Sequence, residues 1–202
     1  MTDLFESSEA ELLPVADAKL VLWRQFDFGI EQDLLQGLIE NTPWRLDHVT
    51  VWGKTYPQPR LVAWYGDDAL SYSYSGVDLT ALPWTPALAN IKDKVEALCQ
   101  SSFNSVLLNY YRDHRDSMGF HSDDEPELGS CPVIASVSFG DVRQFVLKHK
   151  TRKDIKNVKL QLPSGSLLLM KGATQANWKH GIPKESKPCG PRVNLTFRRI
   201  LR

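Results

Sequence analysis

Cysteine is scarce in this 202-residue chain: Cys99, Cys131 and Cys189 are odd in number, far apart and free of any C-x-x-C spacing. That excludes a disulfide framework and a thiolate zinc site, and leaves ordinary reduced thiols. Excess charge is missing too. Lysines plus arginines equal aspartates plus glutamates at 24 each, so no global field draws in a polyanion, and any nucleic-acid contact must come from a local basic face. Near Met1 no charged segment leads into a long apolar run, and no stretch approaches the length of a membrane span. Internal repeats and low-complexity segments are absent as well. A soluble monomer without membrane contact is expected, cytoplasmic in a bacterium or nuclear in a eukaryote, and not secreted.

What is present is the composition of a globular protein, 42% hydrophobic and 24% charged, in a length that suits one domain with a substantial core. Residues 1–18 read as a loose acidic tail carrying Asp3, Glu6, Glu9 and Glu11. Alternation over 19–28 suits a strand. The spacing of Leu34, Leu35, Leu38 and Ile39 predicts a helix over 30–41 that ends before Pro43. In 42–59, Trp44, His48, Trp52 and Tyr56 interleave with Arg45, Lys54 and Arg60 on turn-rich backbone. This suits base stacking, or more simply a hairpin with half-buried aromatics. Short strands follow at 61–65 and 70–75. Thr85-Pro86 has the order of an N-cap and first helical residue, and Leu88, Ile91, Val95 and Leu98 form one stripe, predicting a second helix to about Gln100. From there β-rich runs at 106–111, 133–139, 144–150, 158–162, 166–170 and 192–200 indicate an antiparallel sandwich or barrel. The fold class is α+β, an N-terminal α/β layer (19–104) before an all-β body (105–202) within one domain.

His121 and Asp123, two residues apart, point the same way from an extended backbone and can reach one point in space. One more imidazole completes a two-histidine, one-carboxylate face with open positions, as in non-haem Fe(II) oxygenases, although the same set also suits zinc. Among five histidines, His48 lies in the aromatic loop, His149 in a lysine cluster and His114 in a charged turn, which leaves His180. In the last strand Arg192, Asn194, Thr196 and Arg198 share one face, and Val193, Leu195 and Phe197 the other. If the polar face lines a wet pocket, its guanidinium groups call for a dicarboxylate ligand or an acidic partner such as Asp123. Asn109 and Tyr111 share a face of their own strand and can address the same anion.

Together, Asn109-Tyr110-Tyr111, His121-Ser122-Asp123-Asp124-Glu125, Ser136-Val137-Ser138-Phe139-Gly140, the run Gly165 to Met170, His180 and the run Pro191 to Arg198 closely resemble the AlkB family of Fe(II)- and 2-oxoglutarate-dependent dioxygenases. Val51-Trp52-Gly53-Lys54, Pro59-Arg60, Tyr65-Gly66-Asp67 and Tyr72-Ser73-Tyr74-Ser75-Gly76 extend the resemblance to about residues 50–198. Within the family the chain looks most like the homologues that repair alkylated nucleic acid.

The resemblance implies a double-stranded β-helix (jelly roll) core, with His121, Asp123 and His180 as iron ligands. It makes Arg192 the partner of the distal carboxylate of 2-oxoglutarate, places Arg198 near Asp123, and sets Asn109, Tyr111 and Asn194 around the co-substrate. Arg60, Tyr72, Ser75, Asp124 and Glu125 become candidates for the base pocket, and Trp52 matches an apolar finger that fills the gap left by a flipped base. The implied reaction uses O2 and decarboxylates 2-oxoglutarate while demethylating bases such as 1-methyladenine or 3-methylcytosine, with release of formaldehyde. The expected partner is therefore alkylated DNA, with RNA or protein as the alternative substrate. A non-enzymatic β-sandwich module for nucleic acid is a further alternative. The run Lys148, Lys150, Arg152, Lys153, Lys156 and Lys159 is the strongest local basic stretch, suited to phosphates or simply to solvent.

Overall fold

Strands buried on both faces read as unbroken apolar runs, and Leu167-Leu168-Leu169-Met170 is such a run, which puts it at the centre of a covered sheet. The computed structural model describes residues 9–26, 34–51, 53–67, 70–74 and 77–201. Its strands are β1 (Glu11–Leu13), β2 (Lys19–Trp23), β3 (His48–Val51), β4 (Lys54–Pro57), β5 (Leu61–Gly66), β6 (Ser71–Tyr74), β7 (Val77–Thr80), β8 (Ser105–Tyr111), β9 (Met118–His121), β10 (Ile134–Gly140), β11 (Arg143–His149), β12 (Val158–Leu162), β13 (Ser166–Lys171), β14 (Trp178–Ile182) and β15 (Arg192–Arg198). The helices are α1 (Leu34–Asn41), α2 (Pro86–Cys99) and the single turn α3 (Thr174–Asn177).

A seven-stranded sheet in the order β1-β2-β13-β10-β15-β8-β5 is accompanied by a four-stranded sheet, β12-β11-β14-β9. Leu168 and Met170 of the first sheet share an apolar cluster with Phe145, Leu147 and Leu162 of the second, so the sheets face each other as a jelly roll. Their alternate neighbours Leu167, Leu169, Val193, Leu195 and Phe197 turn to the other face, where Leu88, Ile91 and Val95 of α2 cover them. The helix outside and the pocket inside explain why β15 carries its polar side chains inward. Helix α2 begins as its sequence indicates: the Leu88 N–H donates to Thr85 Oγ1 at 3.2 Å and Pro86 occupies the first turn.

The elements depart from, or add to, those expected at several points. Residues 11–13 fall inside the expected tail, yet they form β1 on the edge of β2, with Leu13 buried and Arg24 paired to Glu11 at 2.9 Å. Three residues are too few to reveal a period. The N-terminal α/β layer is continuous with the body of the one domain: β2 pairs with β13 and β5 with β8, so both extend the large sheet. Finally, 178–182 forms β14, which no sequence pattern disclosed: Gly181 interrupts it, and Trp178, His180 and Ile182 are all buried. The strands read at 61–65 and 70–75 do form, but they do not pair with each other: β6 pairs with β7.

Candidate active site

His121 closes β9 and His180 lies in β14, and their Cα atoms are register partners across the two strands. Gly181 permits that approach, since a Cβ there would meet Met118 O at 2.9 Å and Gly119 O at 3.2 Å. The imidazole centroids stand 4.4 Å apart. Asp123 follows His121 at the spacing that returns its side chain to the same side, and ligand atoms of all three residues lie within 4.8 Å of one another. His121 Nδ1 lies 3.0 Å from the Gly119 carbonyl, which fixes the proton on that nitrogen and leaves the Nε2 lone pair available. Phe145 stacks on His180 at 5.2 Å, and burial pulls the His180 imidazole down to about 3 against the pull of Asp123, so the ring is neutral at physiological pH.

Asp123 is almost wholly buried. Desolvation would raise its carboxyl, but the positive charge of Arg198 and the two imidazoles outweigh it and hold the group at about 2. Arg198 Nη2 donates to Oδ1 at 2.6 Å. Asp123 Oδ2 is buried without a hydrogen-bond partner, 3.7 Å from His180 Nε2. Two further contacts fix the segment: the Asp123 N–H donates to Gln175 Oε1 at 3.0 Å, and Ser122 Oγ donates to the Trp178 carbonyl at 2.9 Å. Gln175 thereby ties the carboxylate segment to the turn leading into β14. Two imidazole nitrogens and one ionised carboxylate, with an acceptor oxygen left over, fit a divalent iron.

Arg192 explains what else the cavity takes. It is 1% exposed, and Nη2 donates to Ser138 Oγ at 2.9 Å, while Nε and Nη1 are buried without partners. Desolvation lowers this guanidinium to about 10, with Tyr111 opposing the shift and Arg143 adding to it. No carboxylate meets it among the described residues, in contrast to Arg198. A buried cation with two unused donors is a receptor for an anion, and 2-oxoglutarate presents a carboxylate of that kind.

The cavity at the metal face is lined by Asn109, Tyr111, His121, Asp123, His180, Arg192, Asn194 and Arg198, so every iron and co-substrate residue expected from sequence converges there. Asn194 enters differently from its expected part: its amide hydrogens go to Ser136 Oγ and the Val137 carbonyl, both at 2.8 Å, and its oxygen accepts from Thr196. It shapes the wall rather than offering a donor. Asn109 Oδ1 accepts from Arg60 Nε at 2.8 Å.

A second, wider pocket shares His121, Asp123 and Arg198 with the first and is walled by Val62, Trp64, Leu107, Leu128 and Ile200. Arg60 and Glu125 line it as expected, and Glu125 Oε2 is buried without a partner. Asp124 does not reach this pocket. It turns outward and pairs with Lys150 at 2.8 Å, because extended backbone sends 123 and 125 to one side and 124 to the other. Tyr72 lies on β6, but its side chain, like Trp52 and Ser75, lies outside the described residues. Gln175, Phe145 and Arg143 were not singled out from sequence: a buried polar residue that serves other residues leaves no pattern, and Phe145 is one apolar strand residue among many.

A family model described as 2OG-Fe(II) oxygenase superfamily matches residues 29–198. The chain is 44% identical over 201 residues to alpha-ketoglutarate-dependent dioxygenase alkB homolog 3 of Mus musculus, spanning 95% of this chain and 70% of that protein. It is 43% identical over 173 residues to the DNA oxidative demethylase ALKBH2 of Mus musculus, spanning 83% and 72%. The solved structure of OsALKBH1 superposes with a TM-score of 0.63 over 95% of this chain and all of that one, at 18% identity, which speaks for the fold.

Proposed function

Because the chain belongs to the AlkB-type dioxygenases of the 2OG-Fe(II) oxygenase superfamily, we propose that it oxidatively demethylates N-alkylated bases such as 1-methyladenine and 3-methylcytosine in DNA. The observation that carries the substrate reading is the largely apolar pocket beside the metal face with the carboxylate of Glu125, its Oε2 buried without a hydrogen-bond partner, in its wall. Bases such as 1-methyladenine and 3-methylcytosine are flat, apolar on their faces and positively charged, and they match both the apolar wall and the carboxylate.

Bound iron, with 2-oxoglutarate and O2, supplies the oxidation: the 2-oxo acid yields succinate and carbon dioxide, and the hydroxylated N-methyl group leaves as formaldehyde. His121, His180 and Asp123 would hold the metal. Arg192 receives the distal carboxylate, with Tyr111 beside it. Arg198 keeps Asp123 ionised and oriented, and Phe145 fixes the plane of the His180 ring. The walls of Trp64, Leu107, Leu128 and Ile200 exclude water from the face where the base docks. Extruding that base costs a few kcal/mol of stacking, least for a damaged pair.

Incubation with Fe(II), 2-oxoglutarate and methylated single-stranded DNA, duplex DNA or RNA, followed by formaldehyde and base mass, tests the reading. Release from DNA supports it; turnover confined to RNA, or to none of the three, overturns it. The charge argument has its own readout. Glu125→Gln should lower kcat/KM on the cationic lesion 3-methylcytosine by about tenfold relative to neutral 3-methylthymine, the scale of one charge-assisted contact. An unchanged ratio would remove Glu125 from that role.

The basic run is partly committed to protein partners. Lys150 meets Asp124 and Arg152 meets Asp17 and Asp154, whereas Lys153, Lys156 and Lys159 are exposed. Lys148 lies 4.8 Å over the ring of exposed Phe120, next to His121. Changing Lys153, Lys156 and Lys159 together to alanine should flatten the salt dependence of duplex binding by about 0.9 per lost phosphate contact while leaving the choice of base unaltered. Binding titrations at several salt concentrations read this directly.

A further inference from the structure

Arg143, at the start of β11, takes no part in the chemistry above and does not line the co-substrate cavity, yet it is the second fully buried guanidinium at that end of the fold. Its Nη1 donates to the Asp113 carbonyl at 3.1 Å, and its Nη2 to the carbonyls of Asp116 at 2.7 Å and Pro183 at 2.8 Å. Carbonyl dipoles satisfy donors but do not cancel a charge. The nearby carboxylates are engaged elsewhere: Asp113 pairs with Arg115 at 2.6 Å and Asp116 with Arg112 at 2.7 Å. Glu185, partly exposed, stands 3.9 Å from Arg143 Nε, beyond hydrogen-bond distance.

The ring of Tyr111 is common to both cations. Arg143 lies 5.6 Å from its centroid and Arg192 lies 5.3 Å from it. Two buried positive charges thus share one aromatic ring, with the partly exposed carboxylate of Glu185 3.9 Å from Arg143 Nε and those of Asp113 and Asp116 paired to other arginines. The charge of Arg143 also contributes to the downward shift of Arg192.

We infer that Arg143 is a positioning and specificity-determining residue for the co-substrate. Through its charge and its hold on Tyr111 it makes the closed end of the cavity select a 2-oxo acid with a second carboxylate, without touching it. The inference rests on reading Arg192 as the partner of that carboxylate. It differs from a purely structural role in one sign. If the field matters, removing the opposing charge of Glu185 should strengthen binding, although it removes a favourable ion contact from the fold.

The test is calorimetric binding to the protein loaded with Mn(II), which gives no turnover. The probes are 2-oxoglutarate and 2-oxobutyrate, which share the chelating end and differ in the distal carboxylate. Arg143→Gln should weaken 2-oxoglutarate by about tenfold and leave 2-oxobutyrate nearly unchanged, and Glu185→Gln should tighten 2-oxoglutarate by about threefold. Arg143→Lys, which keeps the charge but not the three carbonyl contacts, should fall between wild type and Arg143→Gln. Equal shifts for both acids, or weaker binding in Glu185→Gln, overturn the inference. Should Arg143→Gln fail to fold, Glu185→Gln decides alone. If wild type does not prefer 2-oxoglutarate over 2-oxobutyrate, the reading of Arg192 itself fails, an outcome separate from the others.

Discussion

Asp123→Asn abolishes turnover and weakens metal binding by more than about 100-fold, beyond the roughly 10–100-fold that follows when only a partner one step outside the direct ligands is lost. The substitution is nearly isosteric, so the effect is electronic: an amide is a poorer donor to a hard divalent ion than an ionised carboxylate. It also removes the counter-charge of Arg198, whose Nη2 donates to Oδ1 at 2.6 Å. Metal titration with Co(II), followed through its visible absorption, measures the affinity without relying on activity. Retained affinity with lost turnover would mean that His121 and His180 hold the metal by themselves.

The second large effect has two opposite signs. Arg192→Met raises the Kd for 2-oxoglutarate by on the order of 100-fold, because one partner of a buried charge pair is lost. The same change should make the unliganded protein more stable. Arg192 is fully enclosed, with Nε and Nη1 unpartnered, and its lowered pKa reports that the folded state resists the charge. Replacing such a group with an apolar one of similar length relieves that cost. Thermal unfolding with and without co-substrate therefore shows a higher Tm in the empty variant and a loss of the ligand-induced rise that wild type displays. A lower Tm in the empty variant would mean that the guanidinium is compensated after all.

Much of this site was legible in one strand. Period-two alternation in β15 sorts Arg192, Asn194 and Arg198 from Val193, Leu195 and Phe197, and the presence of the preceding amphipathic helix says which set faces out. Alternation also relates His121 to Asp123. Carried one step further, it excludes Asp124 from the pocket and keeps Glu125, a distinction that family resemblance alone did not make. The strand that presents His180 left no such trace, because it is only five residues long and Lys179, His180 and Gly181 give it a polar, glycine-broken centre. Gln175 and Arg143 were equally hidden. Their importance comes from contacts with main-chain groups far away in sequence, such as Asp123 N–H and the Pro183 carbonyl, and no local spacing encodes those.

His121 and His180 stand on the four-stranded sheet, whereas Arg192 and Arg198 stand on the seven-stranded one. A loaded centre draws on both at once, so it couples layers that otherwise meet mainly through apolar side chains, with the Arg198–Asp123 pair as a polar link between them. The consequence concerns cooperativity: in hydrogen exchange, the loaded protein should open as a single unit, while the empty one lets the smaller sheet exchange first.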